Sequence, residues 1–209
     1  MTVVAGLMFL AFVYFAVGQA TILRGGAQTA ADAAALGAAH DARDQLREGW
    51  FRVLGDPDQW QQFVRGERYD PERACQKAAA FASLNGAELD PQEGCVPSDF
   101  GFTATVQTNG TVGESIVPGA DERRATATAS AVVEPLCSFV PPEPTPDPST
   151  EPPTDPDPSS TPPEQSEEEE PDPVLVLSCG DEDWEIDPDD PVLPGADDLF
   201  RVRLTGDDE

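Results

Sequence analysis

Side chains that do chemistry or hold a polyanion are scarce in this chain. It carries one histidine (His40), one lysine (Lys77) and 11 arginines against 40 aspartates and glutamates, for a formal net charge of −28. Affinity for nucleic-acid phosphates rests on clustered Lys and Arg, so a surface of this sign repels DNA and RNA, and no nucleic-acid partner is expected. A Ser/His/Asp or Cys/His catalytic set would need His40 in a cleft, whereas it lies in an alanine-rich helical stretch and reads as a solvated helix residue. The four cysteines include no Cys-x-x-Cys spacing, which disfavours zinc sites and thioredoxin-type exchange. Carboxylate pairs can be drawn anywhere among 40 acids and single out nothing. The chain therefore reads as non-enzymatic, with no catalytic, cofactor-binding or metal-ligating residue and no small-molecule substrate.

The acidity is unevenly placed. Residues 1–140 hold 17 acids and 10 bases, while residues 141–209 hold 23 acids and 2 bases. Of the 22 prolines, 13 fall within residues 141–173, a stretch without aromatic residues, Val, Ile or Leu. It cannot bury a core, and proline together with carboxylate repulsion predicts an extended or disordered spacer that suits a stalk or a projecting loop. Setting aside this spacer and an apolar N-terminal run leaves room for one modest domain.

That run, Val3 to Leu23, reads VVAGLMFLAFVYFAVGQATIL and has no charged residue. As a helix it would extend about 32 Å, the thickness of a bilayer core, and it is read as a transmembrane anchor over residues 1–23. The competing readings are a secretory signal cleaved after Ala20, with small Gly18 and Ala20 before the cut, and a buried core helix. Helix formers continue beyond it through GGAQTAADAAALGAAHDARDQLREGWFRVL, which predicts one long helix with a face of small residues that neighbours can approach closely. Charge does not set the orientation, because the first cation, Arg24, follows the apolar run.

The apolar helix followed by GQATILRGGAQTAADAAALGAAHDAR resembles the N-terminal region of TadE/TadG-like proteins of tight-adherence pilus systems, especially the short TadG-related proteins of high-GC Gram-positive bacteria. AQTAADAAALGAA (Ala27 to Ala39) carries most of the likeness, which continues more loosely through AAAFASLNGA and ATATASAVVEP. The resemblance implies a membrane-anchored, pilin-like envelope component, single-pass in the cell membrane, with its C-terminal domain outside the cytoplasm. Its partners would be pilus-assembly or other envelope proteins, and the membrane through residues 3–23. No DxSxS motif is present, so metal-dependent adhesion is not implied. The second reading is a secreted or cell-wall-associated adhesin or binding module with an acidic stalk.

The rest of the chain predicts an α+β domain over residues 24–140, completed by strands in residues 174–209: a pilin-like helix with a small antiparallel sheet. Trp60, Phe63 and Val64 mark one helical face. A further helix opens at Asp70-Pro71, presents Ala74, Ala78, Phe81 and Ala82, and stops at Asn85-Gly86. FTATVQT and TVGESIV around Asn109-Gly110 read as a hairpin, followed by strands from Arg124 to Val132, Val174 to Cys179 and Leu199 to Thr205. Asn109-Gly110-Thr111 also matches a glycosylation sequon, but the turn reading is preferred. DEDWEIDPDD (Asp181 to Asp190) offers hard oxygens for calcium but lacks the glycine and spaced glutamate of an EF-hand, so it reads as a solvated acidic run.

Cys75, Cys95, Cys137 and Cys179 are an even set suited to disulfides in an oxidising compartment. Three pairings are open. The favoured one joins Cys75 to Cys95 and Cys137 to Cys179, the second bringing the two ends of the spacer together.

Overall fold

A computed structural model describes residues 2–111, 124–141, 175–187 and 192–206, without the side chains of residues 2, 15–17, 19, 20, 22, 23 and 111. The helix-forming N-terminal third makes one continuous helix, α1 (Thr2–Arg52). A 3-10 turn (Pro57–Gln59), a short helix α2 (Trp60–Val64) and a longer helix α3 (Pro71–Leu84) follow. Asp70 caps α3 by accepting from the backbone N–H groups of Glu72 and Arg73, and Pro71 occupies the first turn, where no N–H is needed.

Beyond α3 the period changes to two. Strands β1 (Ala87–Leu89), β2 (Cys95–Ser98), β3 (Gly101–Thr111), β4 (Arg124–Pro135) and β8 (Phe200–Thr205) form an antiparallel sheet in the order β1-β3-β4-β8, with β2 also on β3. A second sheet, β5-β6-β7, comprises Cys137–Phe139, Leu175–Cys179 and Glu182–Ile186. A four-residue helix, α4 (Ala196–Leu199), leads into β8.

The core forms around the second half of α1. Ala30, Ala31, Ala34, Ala35, Ala38, Ala39 and Ala42 are wholly buried there, followed by Leu46 and Trp50. Side chains this short let a helix and a sheet approach α1 closely from different sides. On one side α3 contributes Ala74, Ala78 and Ala82, and Phe81 lies where a Cβ on Gly37 would stand. On the other, Phe102, Ala104 and Val106 of β3 and Ala129, Ala131 and Val133 of β4 bury the inward face of the sheet. Its outer face carries cross-strand hydroxyl pairs, Thr103 with Ser130 at 2.8 Å and Thr105 with Thr128 at 3.0 Å. The second sheet docks through Phe139, whose ring centroid lies 4.6 Å from that of Trp60.

Several expectations are corrected. Among the described residues no helix is long and apolar enough to cross a membrane. Side chains 15–17, 19, 20, 22 and 23 of the expected anchor lie outside the described residues. The transmembrane part of the expected fold, the single-pass membrane localisation, the membrane as a partner through residues 3–23 and the membrane-anchored pilus component as function are set aside on this finding.

The hairpin at Asn109-Gly110 is also corrected. β3 runs through both residues to Thr111 and pairs with β4, from Gly101 opposite Val132 to Thr111 opposite Arg124. The register shifts between Gln107 and Thr111, where the Thr108 hydroxyl donates to the Gly110 carbonyl and accepts from the Ala125 N–H. The dipeptide thus sits in a strand irregularity, and residues 112–117 of the expected second strand lie outside the described residues. So do residues 142–173 of the expected spacer.

Candidate functional site

Where α1 ends, the chain turns back and opens a cleft of about 390 Å³. The reversal is built from local bonds: the Val53 N–H donates to the Trp50 carbonyl, the Asp56 N–H to the Val53 carbonyl, and the Trp60 indole N–H to the Val53 carbonyl at 2.9 Å. Gly66, with φ +78°, then turns the chain out of α2 in a left-handed conformation that glycine adopts at little cost. The Phe63 ring packs against the bare Gly49 backbone, because a Cβ there would overlap it.

α1 contributes Gln45, Glu48 and Arg52 to the lining of the cleft, the 3-10 turn Gln59, α2 Phe63, the segment before α3 Arg68, Tyr69 and Asp70, and α3 itself Arg73. Gln45 clamps that segment to α1 by accepting from the Asp70 N–H at 2.8 Å and donating to the Asp70 carbonyl at 3.1 Å. Its amide also donates to Asp41 at 2.7 Å, and Arg73 Nε lies 3.5 Å from the same carboxylate. Asp41 is nearly buried, so these two partners offset the desolvation of its charge.

The arginines are held in different ways. Arg68 donates to the Gln62 amide oxygen at 2.8 Å, with its guanidinium 6.0 Å from the Phe63 ring centroid. Arg52 meets Glu48 at 3.5 Å in an exposed pair, a contact that contributes little in water. Arg73 engages Asp41 through Nε and is about half exposed. Burial raises the Tyr69 pKa further above physiological pH, where a phenol is already a neutral hydrogen-bond donor. Such a lining can bind and orient a small anionic group.

The expected site residues lie elsewhere. Cys75 is bonded to Cys95, tying α3 to β2, and Cys137 is bonded to Cys179, its opposite number across β5 and β6. His40 is exposed on α1; desolvation of its ring and then the Arg43 charge lower its pKa, while Asp44 opposes them. Within the acidic run, β7 alternates, so Asp183 and Glu185 point away from Glu182 and Ile186, and residues 188–190 lie outside the described residues. Among the described residues no group of three or more His, Cys, Asp or Glu side chains is placed to hold a metal ion.

The cleft itself escaped the sequence reading, although a signal was there: seven of the 12 basic residues fall between Arg43 and Lys77. No protein-family model, curated protein or solved structure matches this chain. The resemblance of its alanine-rich helix to TadE/TadG-like proteins gains no support from those comparisons.

Proposed function

We propose that this chain is a secreted or cell-wall-associated binding module of adhesin type, carrying an acidic, proline-rich stalk and performing no catalysis. The observation that carries this reading is the pairing of all four cysteines in two disulfides, one joining α3 to the main sheet and the other closing the second sheet. Disulfides form and persist in oxidising compartments. The burial along α1 agrees with release: among its described side chains the first buried one is Ala27, beyond a cleavage after Ala20. The stalk is read from composition alone.

Fractionation of native cells, followed by intact-mass analysis with and without reduction, tests the reading. The expected result is protein in the medium or the wall fraction, beginning at Thr21 and gaining about four hydrogens on reduction. Protein confined to the cytoplasm with free thiols would overturn it.

A further inference from the structure

We propose that the cleft at the end of α1 captures a peptide carboxylate, either an Asp or Glu side chain or a free C-terminus; the inference deepens the binding-module reading and rests on it. The charge of the lining selects the ligand. Arg52, Arg68 and Arg73 line the cleft with Glu48 and Asp70, and the Asp41 carboxylate lies beside Arg73, so charge balances there on a chain whose total is −28. A dianion or polyanion meets these carboxylates and the field of the whole protein, whereas a single carboxylate needs only the donors of one or two guanidinium groups.

Geometry supports the same class. Because Arg73 holds Asp41 by Nε, its terminal nitrogens are left to a ligand, and the exposed Arg52–Glu48 pair can exchange partners at small cost. Two guanidinium groups at one mouth suit the paired oxygens of a carboxylate. The Phe63 ring adds an apolar surface and the neutral Tyr69 phenol a donor, both suited to the residue beside the carboxylate. A volume of about 390 Å³ admits a few side chains of an extended peptide and no folded domain.

The test uses the full, disulfide-intact chain labelled with ¹⁵N and three acetylated probes: Gly-Leu-Glu-Leu-Gly-amide, its Gln counterpart, and Gly-Leu-Gly-Leu-Gly with a free C-terminus. Titration by NMR is expected to move the amides of Gly49, Phe63 and Tyr69 with at least one carboxylate probe, and about tenfold more weakly with the Gln probe, a difference of about 1.4 kcal/mol. Response to the Glu probe alone identifies a side-chain ligand, and response to the free C-terminus alone a terminal one. Arg52→Gln, which touches only an exposed pair, should weaken binding about tenfold with the rest of the spectrum unchanged. Arg73→Lys should weaken it as well, and its unchanged dispersion would show that Asp41 remains satisfied. Equal binding of the Glu and Gln probes, shifts that map elsewhere, or no shifts up to about 10 mM peptide would overturn the inference. A chain found outside the cell with both disulfides but unresponsive to these probes would refute the carboxylate site and leave the binding-module reading standing.

Discussion

The two ends of α1 belong to one helix and have opposite fates. Near its start, Val3, Leu7, Met8, Phe9 and Leu10 are large, apolar and exposed; from Ala27 to Ala42 every alanine except Ala33 is fully buried. Hydropathy ranks these segments in the reverse order of their burial. What decides burial is the presence of a partner at the right distance, and alanine lets α3 and the sheet come close enough to provide one. Bulk at the first end has nothing to pack against among the described residues, and bulk at the second would push the layers apart.

Substitutions can break this contrast, and the disulfides set the top of the scale. Replacing Cys75 and Cys95 together by Ala should cost about 3 kcal/mol by the chain-entropy argument, read as a lower urea midpoint. Ala38→Leu inserts bulk into the fully buried stretch and should cost about 1–3 kcal/mol, with a matching loss of thermal midpoint.

Two tryptophans in contact give a finer comparison. Their ring centroids lie 5.4 Å apart, yet the Trp60 indole N–H is bonded to the Val53 carbonyl, while the buried Trp50 Nε1 has no partner among the described residues. Trp60→Phe forfeits that bond and Trp50→Phe removes an unsatisfied donor, so the first should be the more destabilising by about 1 kcal/mol in urea titrations.

The surface pair of Glu134 and Arg203 should matter least. The Arg203 hydrogen bond, 2.8 Å from Nε, is the main cause of a lowered Glu134 pKa. A carboxylate whose folded pKa is depressed contributes stability that is present above its unfolded pKa, about 4.3, and is lost as pH falls through the folded value. Glu134→Gln should therefore lower stability slightly at neutral pH and flatten the acid limb of a stability–pH profile by the same small amount, since solvent screens the pair.

Local signals were legible wherever one segment decides its own structure. Asp70-Pro71 opened α3, Asn85-Gly86 ended it, and alternation marked β4, β6 and β8. Long-range pairing was not legible. Asn109-Gly110 has the composition of a tight turn, yet Thr108 binds across it and β4 takes up the strand beyond. The short strands β2 and β5 show no alternation of their own and exist through their partners. The apolar start of α1 was read by hydropathy, which records what a residue prefers and not what surrounds it. The cleft needed Arg52, Arg68 and Arg73 from separate elements, and nothing in their spacing shows that α1 and α3 bring them together.

The contrast along α1 is tested most directly by the urea midpoint of a chain beginning at Thr21, measured beside the full chain with both disulfides intact. The account predicts stabilities that agree within about 0.5 kcal/mol, because among the described side chains of α1 every buried one lies at Ala27 or beyond. A loss of more than about 1 kcal/mol, or failure of the shortened chain to form both disulfides, would contradict it, showing that the exposed apolar segment contributes to the folded domain.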